Sequence, residues 1–293
     1  MPNQNKYTTE TGSKTPLTTP TSLPGSQTVS HGKDIFRFIP QSEGYCDCEF
    51  VGPHDPQGYH LVVPNQSPTG EYVVNFWLKP YLALSSYEGP YVLSCDMSAC
   101  THIKSIMFEG FSHTRIKEVI LPPNIEMIDK RAFAGCSDLV KCDLSKCSHL
   151  VRIHEWAFED CSLLSAIELP KQVAFVKDYA FRHCVSATTI TLNEGLQSIG
   201  REAFASCNSV TSLRIPWSVH TIGGYAFKEC AKLQTVYIPE HMDESKESMN
   251  NLDNKSLIYR WGLDDKKTKI KVYGRGLFSR VFHFLRRLDD KFL

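Results

Sequence analysis

The sequence predicts a repeat solenoid, a stack of short turns sharing one core, β-rich, with short parallel strands joined by 3-10, short-helix or turn segments. Two observations carry this. A phrase built on Ala-Phe-x-x-Cys recurs six times, with Phe111, Phe133, Phe158, Phe181, Phe204 and Phe227 spaced 22 to 25 residues apart, a period that marks solenoid repeats. The residues around each Phe also fall into register from copy to copy.

Each column has a physical role. Ile103, Ile125, Leu150, Val173, Leu196 and Val219 form a first apolar column, and Ile106, Ile128, Ile153, Val176, Ile199 and Ile222 a second, three residues later. Gly110, Ala132, Ala157, Ala180, Ala203 and Ala226 precede the Phe, where the chain is expected to pass close to a neighbour. Cys136, Cys161, Cys184, Cys207 and Cys230 follow it, with Thr114 in the shorter first copy. A strand then reads apolar-x-x-apolar-x-apolar, as in Leu164, Ile167, Leu169 and in Val210, Leu213, Ile215. Pro often ends it (Pro122, Pro170, Pro216, Pro239), because Pro has no N–H to donate.

A unit of this size cannot bury its apolar side alone, so the copies must stack. Stacking predicts a Phe spine, small buried cysteines and a parallel sheet. Seven strands are expected, centred on Cys95, Val119, Cys142, Ile167, Ile190, Leu213 and Val236. Lys269–Tyr273 is a candidate eighth, beyond an insertion.

Ile199-Gly-Arg-Glu-Ala-Phe-Ala-Ser-Cys207 and Ile222-Gly-Gly-Tyr-Ala-Phe-Lys-Glu-Cys230 carry a family likeness. Over residues 92 to 240 the chain resembles the leucine-rich repeats of the BspA-like class. The resemblance implies a leucine-rich-repeat horseshoe that binds proteins or surfaces, with no shared catalytic residues. It also brings in the alternative of a cell-surface adhesin or antigen.

Composition narrows the partner. Lys+Arg and Asp+Glu both total 32, so the net charge is +0, which argues against nucleic acid as the main partner. Residues 1–33 are rich in Thr, Ser, Pro and Asn and read as a disordered tail, with Thr15-Pro16 and Thr19-Pro20 as candidate phosphorylation sites. That segment contains no apolar stretch typical of a signal peptide, which points to a cytoplasmic location, with the cell surface by unconventional export as the alternative. Five of the eleven cysteines share one column, and stacked Cβ vectors run parallel, so free thiols are expected rather than disulfides.

The flanks close the stack. Residues 34–91 alternate apolar stretches with Gly and Pro, which fits a β-rich N-terminal cap or a small separate domain. Residues 241–265 read as an acidic, polar loop, and 266–293 as a basic strand followed by an amphipathic C-terminal helix. That helix, Gly276–Leu293, fits a cap on the last rung, a peripheral contact with an anionic membrane, or a partner-binding helix.

Candidate chemistry is sparse. Cys46-x-Cys48 with His54 and His60 has a tighter gap than zinc sites use, and i, i+2 spacing alone places both thiols on one strand face. His102 and His149 fall at the same place in two copies, so position in the rung explains them. No catalytic motif stands out, and no metal or cofactor is expected; an enzyme with its site in 34–91 is the second alternative. The better candidate is the exposed sheet face. Its outward positions form two ladders, Ser94, Glu118, Lys141, Ala166, Thr189, Ser212, Thr235 beside Asp96, Ile120, Asp143, Glu168, Thr191, Arg214, Tyr237. The expected function is non-enzymatic protein–protein interaction through Glu118, Lys141, Asp143, Glu168, Thr191, Arg214 and Tyr237, with a protein partner of unstated identity.

Overall fold

The computed structural model describes residues 27–31, 34–51, 58–78, 92–242 and 255–274. Six rungs supply two short strands each, and the chain winds as a β-solenoid of about seven turns with little helix. The first row of strands is Tyr59–Val62, Val92–Asp96, Glu118–Ile120, Lys141–Asp143, Ala166–Glu168, Thr189–Thr191, Ser212–Arg214, Thr235–Pro239 and Lys269–Tyr273. The second row is a continuous six-stranded sheet of two-residue strands, from Ser105–Ile106 to Thr221–Ile222. All strand pairs within the two rows are parallel, as stacking of identical columns requires. The first row is hydrogen-bonded in runs of four, two and three strands. One interruption, between Asp143 and Ala166, falls in the longest copy, where 25 residues separate Phe133 from Phe158.

The turn around each Phe has an unusual backbone. The residue two places before it (Glu109, Arg131, Trp156, Tyr179, Glu202, Tyr225) has a left-handed φ between 49° and 61°. The residue two places after it (His113, Gly135, Asp160, His183, Ser206, Glu229) is left-handed too, with φ between 56° and 71°. Such a φ costs an L-residue roughly 1–2 kcal/mol. It turns the Phe N–H along the stack, and a third inter-rung ladder offsets the strain. Phe111, Phe133, Phe158, Phe181 and Phe204 donate to the carbonyls of Ala132, Ala157, Ala180, Ala203 and Ala226 at 2.7–2.9 Å. Gly135 alone among the twelve positions lacks a side chain, and a Cβ there would strike the His113 ring.

Inside, the Phe rings stack at 5.0 to 5.9 Å with interplanar angles of 20° or less. The cysteine column does more than fill space. Each Sγ donates to the carbonyl of the Phe one rung earlier: Cys136 to Phe111, Cys161 to Phe133, Cys184 to Phe158, Cys207 to Phe181, Cys230 to Phe204, at 3.0–3.4 Å. In the first copy Thr114 Oγ1 donates to the Phe111 carbonyl instead, at 2.8 Å. All eleven cysteines are free.

The N-terminal end closes with a four-stranded sheet in the order Gln27–His31, Asp34–Ser42, Tyr45–Phe50, Tyr72–Leu78. The strand Gln27–His31 lies inside the stretch expected to be a disordered tail, because it pairs antiparallel with the next strand from Gln27↔Phe38 to His31↔Asp34. Between the last two strands of this sheet, Tyr59–Val62 pairs instead with Val92–Asp96 and forms the first strand of the solenoid row. Phe36, Phe50 and Phe76 form a ring cluster, and Phe76 meets Phe111 at 6.0 Å, so sheet and stack share one core.

The other end closes differently. The stretch 241–265, expected to be a loop, contains a helix, Lys255–Trp261. Its last residue completes the spine: Trp261 accepts the Phe227 N–H at 3.0 Å and meets the Phe227 ring edge-to-face at 6.4 Å. Lys269–Tyr273 then pairs in parallel with Thr235–Pro239 as the eighth strand foreseen from the sequence. The amphipathic segment Gly276–Leu293 lies outside the described residues, as does nearly all of the Thr/Ser/Pro-rich tail.

Candidate functional site

Register decides what the first-row face presents. Lys141 sits opposite Glu118, and Asp143 opposite Ile120; Glu168 faces Thr191, and Arg214 faces Tyr237. All seven expected binding residues therefore occupy two adjacent ladders on one face, and none is buried. Their strand centres (Val119, Ile167, Ile190, Leu213, Val236) point inward and are buried, as alternation along a strand requires. The ladders run further than the sequence suggested. His60 and Val62 extend them at one end, opposite Ser94 and Asp96, and Lys269 and Lys271 at the other, opposite Thr235 and Tyr237. Alternation on the candidate eighth strand was the signal that could have found the two lysines.

The face changes character along its length. Toward the cap, Asp96 and Asp143 each accept the backbone N–H two residues on, from Ser98 at 2.8 Å and Ser145 at 2.9 Å. The Ser145 hydrogen bonds hold the Asp143 carboxyl below its ordinary range, so it stays charged. His60 Nδ1 meets Ser94 Oγ at 2.7 Å. At the far end, Arg214 donates to Glu194 at 3.1 Å and lies 4.4 Å from the Tyr273 ring centre. Lys271 Nζ lies 5.5 Å from the Tyr237 ring, and the Tyr273 hydroxyl donates to the Ile215 carbonyl at 2.6 Å. Burial raises the Tyr273 phenol, which keeps it a donor. Acidic rungs lie near the cap and cationic, aromatic rungs at the opposite end.

A second ordered surface runs along the turns, an alternative binding surface for which sequence reasoning had named no residues. Trp156 and Tyr179 stack at 5.5 Å, Arg131 lies over the outer face of Trp156 at 5.3 Å, and Arg182 lies over Tyr179 at 5.6 Å. Arg131 also pairs with Glu109, and Arg182 with Glu159. These groups cover one another, which leaves them fewer donors and ring faces for a partner.

The other chemical candidates resolve into structural roles. Cys46 and Cys48 point into the cap core, whereas His60 is on the exposed face; His54 lies outside the described residues. Between the two cysteines and beyond them, Asp47 accepts from Asn75 at 2.7 Å and from Gln41, and Glu49 pairs with Arg37 at 3.2 Å. His102 stacks on Tyr72 at 4.0 Å and its Nδ1 meets Thr101 Oγ1; His149 repeats that local contact with Ser148. Burial pushes the thiols of Cys136 and Cys230 up to about 12 and raises those of Cys161, Cys184 and Cys207 as well, which disfavours the thiolate a nucleophile or metal ligand needs. Among the described residues, no group of three His, Cys, Asp or Glu side chains is placed to hold a metal ion, and no helix is long and apolar enough to cross a membrane.

Comparison with known proteins follows this geometry. The chain is similar to a leucine rich cell surface protein of Faecalibacterium prausnitzii, at 21% identity over 72% of this chain and 54% of that one, with a TM-score of 0.44. It thus spans about half the length of that protein. It is also similar to a leucine rich repeat protein of T. pallidum (21% identity, 79% of this chain, 89% of that one, TM-score 0.37). The pneumococcal vaccine antigen PcpA is a third (15% identity, 74% and 82%, TM-score 0.36). No curated protein matches the chain. The family model for the BspA type leucine rich repeat region matches residues 94–184 and 141–255, in six copies and across more than half of the 293 residues. The chain belongs to the BspA type leucine rich repeat family.

Proposed function

We propose that this protein is a non-enzymatic interaction module whose first-row sheet face binds another protein. The observation that carries the reading is the pair of outward ladders, which present side chains of both charges on nine successive strands of a rigid stack. A preformed face of this kind loses little conformational entropy on binding. Membership of a repeat family whose solenoids are typically non-catalytic supports the same reading. Glu168, Thr191, Arg214 and Tyr237 are the residues that we assign to recognition, joined by Glu118, Lys141 and Asp143. Arg and Tyr are frequent binding hot spots.

The cytoplasmic location expected from the N-terminal composition has no further support, and a cell-surface, adhesin-like role is the competing reading. One similar protein is named a cell surface protein. Staining of intact against permeabilised cells separates the two locations.

Affinity purification tests the site. Wild type and a Glu168→Ala, Arg214→Ala, Tyr237→Ala triple variant are compared after equal melting curves show that both are folded. Loss of the principal partner from the variant is the expected result. An unchanged partner set removes the sheet face from consideration.

A further inference from the structure

We infer that this sheet face pairs with the same face of a second copy of the chain, the two stacks running antiparallel about a two-fold axis. The inference rests on the reading of the face as the binding surface and names its partner.

Charge on the ladders is divided by position. The five strands nearest the cap carry Asp96, Glu118, Asp143 and Glu168 against the single base Lys141. The four that follow carry Arg214, Lys269 and Lys271 and no acid. At the ladder positions the excess is three negative charges on one part and three positive on the other; Glu194, just past the Thr189–Thr191 strand, pairs with Arg214 and offsets one of the positive charges. Such a face is complementary to itself once one copy is reversed, and this is the condition for an isologous two-fold contact.

The rung order makes the match specific. Place the axis along the strand direction, between the Glu168 strand and the Thr191 strand. Each ladder then meets its own reverse. In one ladder Asp143 meets Arg214, Asp96 meets Lys271, Glu168 meets Thr191, and Ile120 meets Tyr237. In the other, Glu118 meets Thr235, Lys141 meets Ser212, and Ser94 meets Lys269. No like charges meet within the two ladders, and each contact occurs twice. Ile120 is 42% exposed, an apolar side chain on a polar face that this arrangement covers with a tyrosine ring. Two of the charged partners are already held in place: Asp143 by the Ser145 N–H, and Arg214 by Glu194 and the Tyr273 ring.

Size sets the expected strength. Eight of the nine strands meet a partner in this register, and at ~4.8 Å apart they give a strip about 34 Å long and only two ladders wide. That is less than the ~800 Å² per partner of a standard interface. The association is therefore weak, reversible and screened by salt.

Sedimentation velocity on the full chain at submillimolar concentration tests this. Wild type is expected to form dimers at low ionic strength that dissociate at high ionic strength. Asp143→Arg presents only basic partners at this contact and Arg214→Asp only acidic ones, so each alone is expected to be monomeric. An equimolar mixture of the two variants is expected to recover a heterodimer. A monomeric wild type at low salt, dimers that persist in either single variant, or a mixture that stays monomeric would each overturn the inference. Where either variant fails to melt cooperatively, Asp96→Lys and Lys271→Asp replace the pair with the same expected pattern. A monomer that still captures a partner, and loses it in the triple alanine variant, would overturn the second-copy reading while sparing the face as a binding surface. Failure of both would remove the face altogether.

Discussion

The interior columns and the outer ladders stack on the same rungs, yet they obey opposite rules. Inside, one residue type repeats: six phenylalanines stack on copies of themselves, and five cysteines each donate to the Phe carbonyl of the rung before. Outside, the same translation carries a different residue on almost every rung, from Asp96 through Glu168 to Arg214 and Lys271. Identity down a column serves stacking, and positions free of that requirement can vary from rung to rung. In a repeat fold, therefore, the most conspicuous residues belong to the core.

Substitutions can break or sharpen that contrast. The largest expected effect is in the spine. Phe181 is buried and stacked between Phe158 and Phe204 at 5.0 and 5.4 Å, so Phe181→Ala leaves a gap in mid-stack. A loss of about 3–5 kcal/mol in denaturant unfolding is expected. A loss under about 1 kcal/mol would mean that the rungs are stabilised independently of the spine.

The next effect is in the turn backbone. Gly135→Ala places a Cβ at a φ of +71° and against the His113 ring, and about 1–2 kcal/mol should be lost. The next two rungs tolerate Asp160 and His183 at the equivalent place, where those two side chains pair at 2.7 Å. A neutral result would show that the His113 ring moves aside and that the turn, rather than the glycine, sets the geometry.

The smallest effect is in the cysteine column. Cys184→Ala removes the donor to the Phe158 carbonyl and should cost about 1 kcal/mol. Cys184→Ser keeps a donor, as Thr114 does in the first copy, and should recover part of the loss. Serine proving worse than alanine would reduce the column to small apolar packing. By contrast, changes at Glu168, Arg214 and Tyr237 should alter stability little and binding much.

Much of the core was legible because the copies report on one another. A column seen five or six times reveals its role without knowledge of the fold, and the same registration assigned the seven candidate residues to outward strand positions, where they lie. Trp261 escaped because an insertion broke the 22-to-25-residue period. One signal survived: Trp261 precedes Ile270 by nine residues, as Phe227 precedes Val236 and Phe204 precedes Leu213. The left-handed turn residues were not legible at all. Glu, Arg, Trp, Tyr, His, Asp and Ser occupy them, and an inter-rung hydrogen bond, rather than residue type, sustains that backbone.

By itself, then, the sequence determined the period, the columns and the order of residues on the exposed face, because stacking identical units leaves a trace in every copy. Only the tertiary structure decided how the stack ends. At one end a four-stranded sheet sets Phe76 against Phe111 while Tyr59–Val62 pairs into the solenoid row; at the other a short helix turns Trp261 onto Phe227. Each end is built once. With no second copy to set it against, its form is dictated by the apolar surface that the last rung would otherwise leave open.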